Sequence, residues 1–293
     1  MTTIAVIANQ GSGRKDKGED PTHALVDALG ARLYGFAPGD DIAAQVDRAI
    51  SDGADTVIAS GGDGTIMAVA DALAGTGVTM GLMPSGTFNF FARGFDIPPD
   101  PEPAAAIIRA GHKQTLSLAT INGRVFLNNV SVGIYPAILK EREAVYSRWG
   151  RSRIAAYWSV IKTFLRAQRL VRLRLTHDGQ TIALRTSLVF VARSAYQLAH
   201  FGLPGAEEVA AGKLAIFVGP EGGRWRLFLN GWRLARGKMQ AGRDFRLILA
   251  REATLDLGRR RVLVACDGEK FRLQSPLELR MNPDCLTLLV PPR

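Results

Sequence analysis

Apolar residues in the first third of the chain fall into short unbroken runs separated by stretches of helical period. The runs "TIAVIA" (3–8), "DTVIAS" (55–60) and "VTMGLM" (78–83) each predict a buried strand. Between them, "DDIAAQVDRAI" (40–50) places Ile42, Val46 and Ile50 at i, i+4 and i+8, one face of a helix. "TIMAVADAL" (65–73) predicts a second helix, and "PAAAIIRA" a short third one, starting behind Pro103 and ending at Gly111. Strand and helix in alternation predict a parallel α/β layer. From about residue 115 the pattern changes. "TLSLATINGRVFLNNVSVG" holds two strand runs around Asn122-Gly123, a type I′ hairpin signal. A helical stripe of Ile154, Trp158, Ile161 and Leu165 follows, then strand runs at 170–176, 181–191, 214–218, 245–250, 254–257, 262–265 and 277–290. Asp178-Gly179 marks another tight turn. The expected fold is α/β + β: an N-terminal nucleotide-binding α/β domain with a parallel sheet (1–120), then an antiparallel β-rich domain (121–293).

Composition narrows the class. A hydrophobic fraction of 47% and a mean hydropathy of +0.05 describe a soluble globular chain. There is no uncharged apolar run long enough to span a bilayer, and "MTTIAVIANQ" lacks the features of a secretory signal. Cys266 and Cys285 have neither disulfide nor metal-ligand spacing, so a reducing, cytoplasmic setting is expected. The net charge of +10 is concentrated: residues 148–174 carry eight Arg or Lys and no acid, and residues 224–246 carry seven against Asp244. A partner of negative charge is expected, either nucleic acid or an anionic membrane surface. No nucleic-acid-binding motif accompanies the charge. Trp149, Tyr157 and Trp158 beside basic residues suit a headgroup region, whereas the stripe at 154–165 equally fits packing on the β-rich part. The four histidines share no ligand spacing, and no Gly-x-Ser-x-Gly elbow occurs.

Three glycine loops each follow a predicted strand: "NQGSG" (9–13), "SGGDGT" (60–65) and "PSGTFN" (84–89). Loops at the carboxyl ends of parallel strands converge on one crevice, and glycine lets backbone N–H groups approach phosphate oxygens. Asn9, Gly11, Ser12, Gly13, Gly61, Gly62, Asp63, Gly64, Thr65, Gly86, Thr87 and Asn89 are therefore the candidate nucleotide-binding residues. One such loop is often a plain turn, and an Asp before a helix is often its cap. Three in succession favour a nucleotide site. Neither the P-loop nor the dinucleotide fingerprint fits the spacing.

"IANQGSG", "SGGDGT", "PSGTFNFFARGFDIP" and the distant "ACDGE" (265–269) resemble the bacterial members of the diacylglycerol kinase catalytic family, related to the sphingosine kinases. "FLNNVSVGIYPAI" and "PLELRMNPDCLTLLVP" resemble further family segments in the same order. The resemblance implies a nucleotide-binding α/β domain and a β-rich domain with the active site between them. It also implies an ATP- and Mg²⁺-dependent lipid kinase acting on a diacylglycerol-, phosphatidylglycerol- or sphingoid-type hydroxyl. By resemblance Asp63 belongs beside the metal and phosphates, Glu269 is the general base, and Asp267 positions the metal or the loop. On residues alone, "DGE" favours a plain β-turn, and it is the resemblance that reverses this. A peripheral membrane protein, docking through 148–174 and 224–246, is what such an enzyme would be. Two departures stand out: Phe90 replaces the Asp that many members carry after the asparagine, and Ala211 replaces the Asp of an Asp-Gly-x-Leu segment that in some members holds a structural magnesium. The Gly-Gly-Asp-Gly-Thr core is shared with NAD kinases, so an NAD-kinase-like enzyme is an alternative that "PSGTFNFFAR" disfavours. A nucleotide- or lipid-binding regulator without turnover is the other.

Overall fold

The computed structural model describes residues 3–9, 21–37, 39–86, 88–133, 170–221, 226, 229–230, 233 and 239–292. The chain divides into two compact units, residues 1–118 with 282–293, and residues 119–281.

In the first unit the strands β1 (Ile4–Asn9), β2 (Arg32–Phe36), β3 (Thr56–Gly61) and β4 (Thr79–Pro84) are parallel, in the order β2-β1-β3-β4. Every residue of β3 and β4 is buried, as expected of strands covered on both faces, and this is why their sequences read as continuous apolar runs. Leu277–Leu289 (β16) brings its last residues alongside β4, with Thr287 and Leu288 parallel to Thr79 and Met80. The helices are α1 (Pro21–Leu29), α2 (Ile42–Ser51), α3 (Asp63–Leu73), the single turn α4 (Phe90–Arg93) and α5 (Pro101–Ala110). Asp41 caps α2 by accepting the Ala43 N–H, and α5 closes on Gly111 at φ +68°, a left-handed position that favours glycine. Pro101 lies in the first turn of α5, so that helix begins earlier than Pro103 suggested. Val6, Ala8, Leu25, Ile58, Met83, Ala105 and Ile108 form the core between helices and sheet.

The second unit is antiparallel. One sheet has the order β12-β11-β10-β7-β14-β15, built from β7 (Asn129–Gly133), β10 (Leu188–Ala192), β11 (Leu214–Val218), β12 (Arg246–Ala250), β14 (Arg261–Cys266) and β15 (Glu269–Gln274). The other ladder joins β8 (Val171–His177), β9 (Gln180–Thr186), β13 (Glu252–Asp256) and the start of β16. The run at 181–191 is thus two strands. Thr186 turns its hydroxyl onto the carbonyls of Leu188 and Gly219, and the chain changes sheets at Ser187. β5 (Lys113–Ile121) and β6 (Arg124–Phe126) meet at Asn122-Gly123, φ +48° and +82°, the two positive values a type I′ turn requires. Asp178-Gly179 does the same for β8 and β9. The short helices α6 (Ala195–His200) and α7 (Ala206–Ala210) cover Phe217 and Phe245. The predicted stripe at Ile154, Trp158, Ile161 and Leu165 lies outside the described residues.

Candidate functional site

β1, β3 and β4 are parallel neighbours, so their carboxyl ends share one edge of the sheet. Gly11, Ser12, Gly13 and Thr87 lie outside the described residues. Asn9 closes β1, and Gly61 closes β3, where its carbonyl accepts the Ser85 N–H at 2.9 Å. The second and third loops touch backbone to backbone: a Cβ on Gly86 would sit 2.8 Å from Gly62 Cα and 2.6 Å from Asn89 Oδ1. One on Gly61 would sit 2.6 Å from the Thr65 side chain. These glycines are needed for loop-on-loop packing, whatever else approaches them.

Gly62 is the N-cap of α3 and has no side-chain cap bond, while Asp63 is the first helical residue and Gly64 and Thr65 complete the turn. Asp63 does not cap its own helix: its Oδ2 accepts the Asn89 N–H at 2.9 Å, across to the next loop. Asn89 stands at φ +49° and donates Nδ2 to the Gly86 carbonyl at 2.9 Å, so loop 86–89 folds onto the carboxylate. Burial raises the pKa of Asp63 above its ordinary value. The N–H groups of Asn89, Phe91 and Phe90 and the charge of Arg93 oppose that rise without cancelling it. Asp63 Oδ1 and Asn89 Oδ1 are buried and have no hydrogen-bond partner. Two orphaned hard oxygens suit a cation such as Mg²⁺. Among the described residues there is no cluster of three His, Cys, Asp or Glu.

In the second unit Asp267 and Gly268, φ +47° and +90°, form a hairpin turn between β14 and β15, with Cys266 opposite Glu269. Asp267 Oδ1 accepts the N–H groups of Asn128 (2.9 Å) and Asn129 (2.8 Å), and Oδ2 that of Leu127 (2.6 Å). Its own N–H returns to the Asn129 carbonyl at 2.9 Å. These bonds tie the turn to segment 127–129. Glu269 follows, exposed, at the start of the edge strand β15. Sequence reasoning missed Asn128, which is 3% exposed with Oδ1 unpartnered, and Gln197, whose Oε1 accepts from Asn129 Nδ2 at 3.0 Å. The Asn-Asn pair of "FLNNVSVG" was the available signal. Ala211 caps α7 through its backbone alone and offers no carboxylate there.

Of the basic segments, 148–169 and much of 224–238 lie outside the described residues. Arg174 pairs with Asp256, and Arg172 faces Arg185 across β8 and β9. Asp244, 1% exposed, binds Arg233 and Arg243 and accepts the Gln240 N–H at 3.0 Å, so one acid holds two of the seven cations in 224–246. No described helix is long and apolar enough to cross a membrane.

Residues 3–121 match the family model of the diacylglycerol kinase catalytic domain. A diacylglycerol kinase of Mycobacterium tuberculosis is 32% identical over 136 residues, 45% of this chain and 43% of that protein. One of Staphylococcus aureus is 27% identical over 194 residues, 64% of this chain and 60% of that protein. The chain thus spans about half the length of the curated relatives it matches. The crystal structure of a diacylglycerol kinase from Bacillus anthracis superposes with a TM-score of 0.69, covering 99% of this chain and 97% of the other at 22% identity, which is a likeness of fold.

Proposed function

We propose that the protein, whose residues 3–121 match the diacylglycerol kinase catalytic domain, is an ATP-dependent lipid kinase. It transfers the γ-phosphate to a lipid hydroxyl, with residues 121–293 serving the lipid. The observation that carries this reading is Asp63: a carboxylate clamped to the neighbouring loop, its charge disfavoured by burial, one oxygen left unpartnered.

Phosphoryl transfer needs positioning and charge neutralisation more than covalent chemistry. Glycine N–H groups of the three loops hold phosphate oxygens, and Ser12, Thr65, Thr87 and Asn89 add hydrogen bonds. Asp63, with Asn89 beside it, would hold Mg²⁺, which when bound would neutralise phosphate charge. Glu269 takes the proton from the acceptor hydroxyl as that oxygen bonds to the γ-phosphorus and the bond to the departing ADP breaks. Asp267 acts through the backbone it holds, fixing the turn from which Glu269 projects, and the three N–H groups on its carboxylate favour a positioning role over a metal ligand. The basic segments 148–174 and 224–246 are proposed to dock the protein peripherally on an anionic membrane.

The test is transfer of radiolabelled γ-phosphate from ATP·Mg²⁺ into mixed-micelle diacylglycerol, phosphatidylglycerol and sphingoid base, with NAD in parallel. Label in one lipid class is expected. Label in NAD alone would overturn the reading for an NAD-kinase-like one, and ATP binding without any transfer would replace it with a regulator.

A further inference from the structure

Phe88 is the most exposed large hydrophobic among the described residues, at 57%. Its ring lies parallel to that of Phe90, centroids 5.6 Å apart and planes 4° from one another, so the two stack into one apolar pair, with Phe88 the outer ring. Phe91, between them and Phe95, is instead buried and packs edge-on against Phe95. The loop therefore divides its aromatics: Phe91 anchors it, Phe88 is exposed, and Phe90 is half-buried against Phe88.

The pair flanks Asn89, whose N–H is bonded to Asp63. Covalent geometry then places the Phe88 backbone within about 6 Å of the Asp63 carboxylate. If Asp63 marks the phosphoryl end of the nucleotide, the adenine ring lies a ribose and two further phosphates away. The partner that must come to the phosphoryl end is the acceptor, whose oxygen has to approach the phosphorus to about 3–3.5 Å. An apolar surface there has no use for phosphates and suits hydrocarbon.

We infer that Phe88 and Phe90 form the shelf on which the hydrocarbon of the acceptor lipid rests beside its reacting hydroxyl. This rests on the lipid-kinase reading. It favours acceptors whose carbon chains begin within a few bonds of the hydroxyl over those that interpose a charged phosphate.

The experiment compares wild type, Phe88→Ala, Phe90→Ala and Phe90→Asp, with diacylglycerols of decreasing chain length in mixed micelles. The lipid KM is expected to rise about tenfold or more, and the loss to shrink as the chains shorten. The KM for ATP stays unchanged, and the Tm of Phe88→Ala changes little, since more than half of that residue is exposed. An unchanged lipid KM in an active enzyme overturns the shelf alone. A rise in the KM for ATP instead assigns the rings to the base, and a loss of vesicle binding with micellar KM intact assigns them to the bilayer; either overturns it. Should wild type phosphorylate no lipid, the kinase reading fails by itself, and Phe88→Trp still tests the shelf. Its emission, taken as a difference from wild type, should shift to the blue when dioctanoylglycerol is added, and no shift would overturn the contact.

Discussion

Asp63 pays a cost in stability for its position. Its pKa is raised, so the folded state holds the proton more tightly than the unfolded chain does. The contribution to stability is therefore present below the unfolded pKa and lost as pH rises through the folded one. At neutral pH the ionised carboxylate weakens the fold. Asp63→Asn keeps an oxygen for the Asn89 N–H and removes that charge, so Tm should hold or rise while phosphoryl transfer falls by at least two orders of magnitude, about what one electrostatic group contributes. A drop in Tm with activity retained would make Asp63 a mere loop clamp. Glu269→Gln should lower kcat by about 10²–10⁴ with Tm unchanged, because the side chain is exposed; turnover and thermal melts on the same preparation decide it.

Among elements, the loop pair 61–65 and 85–89 depends on backbone contact. Gly86→Ala would push a methyl into Gly62 Cα and Asn89 Oδ1, and is expected to lower both Tm and nucleotide affinity, measured by melting and by calorimetry with ATP. The hairpin 266–269 depends on Asp267: its replacement by Ala strands three N–H groups, which should lower Tm and kcat together. Much of this scale was legible. β1, β3 and β4 announce themselves because strands buried on both faces are built mostly of apolar residues, and the Asn-Gly and Asp-Gly turns because few other residues tolerate positive φ. β2 and α1 were not. "RLYGF" is short, carries Arg and Gly, and its burial alternates as befits a sheet edge, so no apolar run marks it. The break between β9 and β10 is equally silent, since Thr186 and Ser187 are ordinary strand residues until the Thr186 hydroxyl meets Gly219, which is 33 positions away.

Over the whole molecule, one buried acid, Asp244, organises two of the basic side chains of 224–246. Asp244 has its pKa lowered to about 2 by Arg243 first, with the Gln240 N–H and Arg233 adding to it. A lowered pKa gives stability that is present above the ordinary value of 3.8 and lost as pH falls through about 2. Asp244→Asn should therefore lower Tm by several degrees at pH 7, and the difference from wild type should vanish toward pH 2, as followed by circular dichroism. Vesicle flotation against salt tests the remaining cations: binding to anionic but not neutral vesicles, weakening with ionic strength, is expected. Equal binding to both would assign the segments another role.

What the sequence determined by itself were the properties carried by short stretches. These are apolar runs, turn dipeptides and the glycine loops with one acid among them, for which local chemistry is enough. What only the tertiary structure decided depends on residues distant in sequence. Asp63 serves Asn89 and leaves its own helix uncapped; Asp267 spends its oxygens on a segment some 140 positions earlier. Asp244 is buried against Arg233, and the closing strand returns to β4. A side chain's hydrogen-bond partner, and hence its charge and its freedom to act, is set by what the fold brings beside it.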